Sequence, residues 1–532
     1  MEKKRVFIYD TTLREGCQKT GIAFSIDDKL RILDRLTQDL GISMIEAGWP
    51  GSNPKDIEFF KRIEQRNLHS TNIYPFSSTR RKNIKVEQDK NLLTLFDIEA
   101  KQATIVGKSW DLHVHSALET SLDENLQMIE DTVSYLTTNG MNVIFDAEHF
   151  FDGYKNNNEY ALQTIKIANE AGAEWIVLCD TNGGLLPYEI ESIIKSVKNE
   201  LPNVQLGIHA HNDSGMANAN ALKAWKHGVE MIQGTINGFG ERCGNTDLTT
   251  IIPIFKLKLE MDCIDDDKLK NLTEVSHYVY EMGNLSGNPD QPFVGKNAFS
   301  HKGGIHISAM LKNMKTYEHI NPELVGNKRN IKISELAGRS SILHMADKFN
   351  IHLTEENPKV GAILRVIKEK ENQGYSFEGA EGTLEILMRG MDMNIQDPNF
   401  YRKKFFELEG FRVLTEMYKN NLISEATIKV KVEGQEYHTA AEGNGPVNAL
   451  DNALKKALVY FYPSIKEIKL SDFKVRIINQ AGTASKVRVL AETYDKENSW
   501  GTIGTHGNII VASWDALVDS YIYKLLKDKK NW

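Results

Sequence analysis

Eight short apolar segments, recurring about every 30 residues and separated by stretches of helical period, predict an α/β protein whose first half is a (β/α)8 TIM barrel. Two further observations extend that class. The βα rhythm stops near residue 271, and after about residue 405 an alternating pattern that ends in an amphipathic helix occurs twice. The expectation is therefore a barrel followed by a helical connecting region and a duplicated βββα regulatory domain. The boundaries fall at 1–270, 271–400 and 401–532. A chain of 532 residues is too long for a single compact domain, which agrees with this division.

The expected barrel strands are 5–9, 43–47, 72–76, 103–106, 142–145, 175–179, 205–209 and 231–235. Each is short and apolar, as parallel strands buried on both faces must be. The first helical run, 25–40, opens on Ser25 as N-cap with Asp27 and Asp28 in its first turn. Eight units favour a closed barrel over an open doubly wound sheet. The first strand also lacks the Gly-rich turn of a dinucleotide fold and runs instead into Asp10-Thr-Thr-Leu-Arg-Glu-Gly16. The connecting region combines a Gly-, Asn- and Pro-rich loop, 283–295, with helical runs at 335–350 and 357–370. Beyond it come strands 425–432 and 435–440 and a helix 447–462. Strands 472–478, 486–491 and 500–504 then lead to a helix over 509–526. Thr439, Ala449, Ala453 and Leu454 recur at one fixed offset as Thr502, Ala512, Ala516 and Leu517, which predicts a duplication.

Composition excludes several classes. The chain is 41% hydrophobic and 26% charged, as a packed protein is and a disordered one is not. No run approaches the roughly 18 apolar residues of a membrane helix. The short apolar stretch behind Lys3, Lys4 and Arg5 is too brief for a signal-peptide core. A net charge of −8 argues against nucleic acid as the main partner. Cys17, Cys179, Cys243 and Cys263 show no CxxC spacing, so they read as reduced and incidental. A cytoplasmic, multidomain enzyme is the expectation.

In such a barrel the active site is built at the C-terminal ends of the strands. Those ends carry Asp10, Arg14 and Glu15; Asp146, Glu148 and His149; and Asp180, Thr181 and Asn182. Strand seven brings His209, His211 and Asp213, and the loop after strand eight brings Asn245. Two residues apart on a strand, His209 and His211 leave the same face, so both imidazoles can reach one ion. Two histidines and a carboxylate form a divalent-metal set with positions open to substrate. A hydrogen-bonded histidine pair at a strand end is the other reading of that spacing. Gly183, Gly184, Gly238 and Gly240 are read as tight-turn residues, and Cys243 as structural.

Three segments together, Asp10-Thr-Thr-Leu-Arg-Glu-Gly16, His209-Ala-His-Asn-Asp213 and Asn237-Gly-Phe-Gly-Glu-Arg-Cys-Gly-Asn245, resemble the acyl-CoA-condensing barrel enzymes. That family comprises the 2-isopropylmalate, homocitrate and citramalate synthases. The resemblance covers essentially the whole chain, through Ser300-His-Lys-Gly-Gly-Ile-His306 and the duplicated domain. Segments 46–56, 107–114, 146–153 and 482–489 are similar to the long citramalate synthase branch. One position departs: Glu15 stands where isopropylmalate and citramalate synthases most often have Asp, although homocitrate-type members have Glu there.

The resemblance implies a divalent ion (Mn, Mg, Zn or Co, not distinguished by sequence) held by Glu15, His209, His211 and Asn245. It implies that Arg14 and Thr181 bind a 2-oxo acid, with Arg14 also acting on the ketone oxygen. Glu148, His306 and Tyr317 are implied in removing the methyl proton of acetyl-CoA, and which of them takes it stays open. His306 and Tyr317 would serve the partner's barrel in a homodimer. The implied reaction joins acetyl-CoA, pyruvate and water into (R)-citramalate and CoA for isoleucine synthesis, with isoleucine as feedback inhibitor. The alternative is a 2-isopropylmalate synthase acting on 2-oxoisovalerate, sensitive to leucine. A metal-dependent acyl-CoA lyase is more remote, because such lyases usually lack a duplicated sensor.

Overall fold

The computed structural model describes residues 4–64, 66, 68, 70–332, 337–393, 400–419, 421–478 and 485–528. Residues 482–484 of the similar segment in the C-terminal domain, residues 335–336 of one expected helical run, and Lys3 lie outside the described residues. Contacts divide the chain into two units: Met1–Phe299 with Ile320–Arg329, and Ser300–His319 with Asn330–Trp532.

In the first unit eight parallel strands close into a barrel: β1 (Phe7–Asp10), β2 (Met44–Gly48), β3 (Asn72–Ser78), β4 (Gln102–Lys108), β5 (Asn142–Glu148), β6 (Trp175–Asp180), β7 (Leu206–Ala210) and β8 (Met231–Gly234). β8 pairs with β1, Met231 opposite Phe7, to complete the closure. Every expected strand is present. The largest differences are at the C-terminal ends of β3, β4 and β5, which run on through Ser78, Lys108 and Glu148. An apolar run underestimates these strands because their last inward positions are polar.

Alternation along the strands separates two layers. Ile8, Ile45, Ile105, Val143, Ile176 and Ile208 point outward into the large core shared with the surrounding helices. Phe7, Tyr9, Met44, Tyr74, Ile144, Trp175, Val177 and Met231 form a separate apolar plug inside the barrel. The helix Ile26–Asp34 shows how local sequence sets the outer ring. Ser25 and Asp28 form a reciprocal capping box, and Lys29, Leu30, Ile32 and Leu33 are buried. The expected run to residue 40 continues as a π-helical turn, Arg35–Asp39. The helix Leu272–Met282 also packs on the barrel core, through Leu272, Val275 and Val279.

The second unit contains a short parallel pair, β9 (Ser300–His301) and β10 (Asn330–Ile331). It also holds the helices Gly304–Lys312, Arg339–Lys348, Pro358–Asn372, Glu381–Asp392 and Phe400–Phe405. Two antiparallel three-stranded sheets follow. The first is β11 (Glu407–Tyr418), β12 (Asn421–Val432) and β13 (Gln435–Gly443), with the helix Pro446–Leu458. The second is β14 (Lys469–Ile477), β15 (Val487–Tyr494) and β16 (Ser499–His506), with the helix Ile509–Asp528. The repeated Ala449, Ala453, Ala512 and Ala516 are all fully buried, small side chains that let each helix lie close on its sheet. Sequence alternation left β11 without bounds; its pairing with β12 slips between Leu408 and Gly410, which breaks the period-two pattern. No described helix is long and apolar enough to cross a membrane.

Candidate active site

The barrel mouth is assembled from the loops that follow the strands. After β1 the Asp10 carboxylate accepts from the Thr12 amide (2.8 Å) and the Thr12 hydroxyl (3.1 Å). That hydroxyl in turn accepts from the Ile236 amide at 2.8 Å, so the turn is tied to the chain beyond β8. Burial pushes the Asp10 carboxyl up to about 7 against these hydrogen bonds. The fixed turn presents Arg14 and Glu15. The Arg14 guanidinium donates to Glu46 and Glu15 and lies 3.9 Å above the centre of the Phe76 ring. Burial opposes its charge, but Glu46 and Glu15 outweigh burial and keep it protonated.

β7 delivers His209 and His211 from one face, as their spacing predicts. Their Nε2 atoms are 3.3 Å apart, and His211 Nε2 is 3.8 Å from Glu15 Oε1. Ligand atoms of Glu15, His209 and His211 all lie within 4.8 Å of one another. Burial, with His209 alongside, pushes His211 down to about 3, which leaves the imidazole neutral as a metal ligand must be. Burial alone would raise Glu15, but Arg14, His209 and His211 hold it below the usual carboxylate range. Asn245 pairs through its backbone with His211, and its amide nitrogen donates to the Phe239 carbonyl at 3.1 Å. Its Oδ1 is buried and has no hydrogen-bond partner among the described residues. A buried acceptor without a donor, beside two imidazoles and a carboxylate, fits a divalent cation. Gly240 sits at φ +149°, and a Cβ there would come within 2.0 Å of the Asn245 amide nitrogen, so this loop requires glycine.

Behind this set, His209 Nδ1 is 2.8 Å from Gln233 Oε1, while Gln233 Nε2 donates to Asp146 at 3.1 Å. An amide oxygen only accepts, so His209 carries its proton on Nδ1 and directs the Nε2 lone pair at the proposed ion. Replacing Gln233 with Leu is expected to weaken divalent-metal binding about 10–100-fold. Calorimetric titration of the metal-free protein checks this. Gln233→Glu keeps the acceptor and should recover part of the loss, whereas unchanged affinity in Gln233→Leu would show that His209 needs no such support.

The family model described as HMGL-like matches residues 5–279. The homocitrate synthase post-HMGL domain-like model matches 293–374, and the LeuA allosteric (dimerisation) domain model matches 382–525. An (R)-citramalate synthase from Geobacter sulfurreducens is 52% identical to this chain, covering 99% of it and 98% of the relative. One from Aquifex aeolicus is 51% identical over 99% of each. The chain belongs to the (R)-citramalate synthase family. A probable 2-isopropylmalate synthase from Methanopyrus kandleri is more distant, 30% identical over 97% of each chain.

The remaining expected positions in this family member divide between the two units. Thr181 and Glu148 line the same cavity as Arg14, Glu15 and His211, a space of about 580 Å³. The Thr181 hydroxyl accepts from the His149 amide at 2.9 Å, which leaves its own proton for a ligand. Glu148 is the last inward residue of β5 and is ion-paired with Lys108 at the end of β4. His306 and Tyr317 lie in the second unit, stacked with ring centres 4.2 Å apart. Gly183 and Gly238 have the positive φ of tight-turn glycines, as expected. All four cysteines are free; Cys243 is exposed rather than packed, which corrects its structural reading. Sequence reasoning passed over Glu46, Lys108, Gln233 and Phe76. Stepping by two from the plug residues Met44 and Met231 reaches Glu46 on β2 and Gln233 on β8, and the same step along β4 runs from Thr104 to Lys108, so alternation carried the signal.

Proposed function

We propose that this chain condenses acetyl-CoA with pyruvate and water to give (R)-citramalate and CoA on the route to isoleucine. The observation that carries this reading is the convergence of Glu15, His209 and His211 beside Arg14 at the barrel mouth. It occurs in a chain that matches (R)-citramalate synthases over nearly its whole length. Glu15, His209, His211 and Asn245 would hold the divalent ion, which when bound supplies a Lewis acid for the 2-oxo acid.

Arg14 is the fixed positive charge beside that position and stabilises the alkoxide that forms as the ketone is attacked. The Thr181 hydroxyl, whose proton has no acceptor among the described residues, donates to the 2-oxo acid's carboxylate. Glu148, held in place by Lys108, joins His306 and Tyr317 as the acid–base set that removes a methyl proton from acetyl-CoA. Hydrolysis of the thioester then releases CoA.

His306 and Tyr317 are exposed, and they lie among exposed apolar side chains, Ile305 at 81% and Met314 at 56%. Such a surface supports insertion into the barrel mouth of a second copy, so the working enzyme is a homodimer. The duplicated C-terminal domain is the isoleucine sensor. An assay of CoA release tests the reaction: turnover with pyruvate is expected to exceed that with 2-oxoisovalerate by at least about 100-fold in kcat/KM. Preference for the branched acid would instead assign the chain to the 2-isopropylmalate reaction.

A further inference from the structure

Among the described residues six cationic side chains line the mouth cavity, and five are already engaged. Arg14 is held by Glu46 and Glu15, and Lys108 by Glu148. Arg80 donates to Glu124 and Asp131, both at 2.7 Å, and Arg242 to Asp213 at 2.8 Å. Lys82 caps the carbonyls of Leu118 and Glu119 at 2.8 and 2.9 Å. Arg81 is the sixth. Its side chain is exposed, and among the described residues no carboxylate pairs with it.

The backbone that carries Arg81 is nevertheless firmly held. Its amide donates to Asp89 Oδ2 at 2.8 Å, and the preceding Arg80 is buried, with its own amide donating to the Thr132 hydroxyl at 2.9 Å. A guanidinium on an anchored loop, left without a counter-charge, is suited to recruiting an anion, because little ordering is lost on binding. The 2-oxo acid is the smaller anion and is met at the buried end, where Arg14, Glu15 and Thr181 lie. The exposed end is left for a larger ligand that extends out of the cavity. CoA carries a pyrophosphate and a 3′-phosphate on a long pantetheine arm, and a guanidinium matches phosphate oxygens in a two-pronged geometry. Val106, Ala117, Leu118 and Met128 give the cavity wall an apolar surface for that arm.

We propose that Arg81 is the phosphate-binding residue for the CoA portion of the thioester substrate. The assignment rests on the reading of this site as that of a synthase that condenses acetyl-CoA with a 2-oxo acid.

Three thioesters test it: acetyl-CoA, acetyl-3′-dephospho-CoA and S-acetyl-N-acetylcysteamine, which carries no phosphate. In Arg81→Gln, kcat/KM for acetyl-CoA relative to the phosphate-free thioester is expected to fall on the order of tenfold. The fall should be larger in Arg81→Glu and partly restored in Arg81→Lys. A fall that persists with the dephospho substrate assigns Arg81 to the pyrophosphate, and one that disappears assigns it to the 3′-phosphate. The wild-type KM for acetyl-CoA should also rise more steeply with ionic strength than that of Arg81→Gln. An unchanged ratio across the variants overturns the assignment while leaving the synthase reading intact. Direct titration with CoA separates the two failures, since a wild-type protein that neither binds CoA nor uses acetyl-CoA overturns both.

Discussion

Co-expressing a His209→Ala chain with a His306→Ala chain restores about a quarter of wild-type turnover, although each variant alone is inactive. Random pairing makes half of the dimers mixed. If His306 serves the partner's barrel, one site of each mixed dimer has an intact His209 and an intact His306, while the other lacks both. If His306 serves its own barrel, both sites of a mixed dimer are defective and nothing is restored. Purifying the mixed species through two different tags removes any dependence on subunit exchange. The stacked and exposed His306–Tyr317 pair motivates the experiment, and absence of complementation would remove the shared-site element of the proposed mechanism.

The second large effect concerns the metal. His209→Ala is expected to abolish stoichiometric divalent metal and reduce kcat by more than the roughly 10–100-fold that loss of a supporting residue costs. Elemental analysis and steady-state kinetics read the two effects separately, and circular dichroism confirms that the fold is retained. A chelator should inactivate the wild-type protein, with activity returning when Mn, Mg, Zn or Co is added. Activity that survives both the substitution and the chelator would refute the proposed metal site. Because His209, His211 and Glu15 are all at most 5% exposed, access of the chelator is expected to be slow, so inactivation should be followed over time.

Much of this architecture is legible in the chain. Eight apolar segments at a βα period specify the barrel because both faces of a parallel strand are buried, and so each must be apolar throughout. Where inward positions are polar that signal weakens, and β3, β4 and β5 therefore extend beyond their apolar runs to Ser78, Lys108 and Glu148. The His209–His211 pair is legible for a related reason. Residues i and i+2 of a strand share a face in any fold, so their convergence needs no tertiary information.

The partners of those residues are a different matter. Glu15, His209 and Asn245 are far apart in the chain, and only closure of β8 onto β1 brings their loops together. Glu46 beneath Arg14, and Gln233 between His209 and Asp146, are ordinary polar residues until the barrel interior removes the water that would otherwise satisfy them. The sequence by itself determined the strand count, the duplicated C-terminal pattern and the pairing of the two histidines, since these depend on local period alone. Tertiary structure decided which carboxylates share charge with Arg14, which histidine nitrogen carries its proton, and which cation at the mouth has no counter-ion among the described residues. Those properties depend on distance and dielectric, which chain order does not encode.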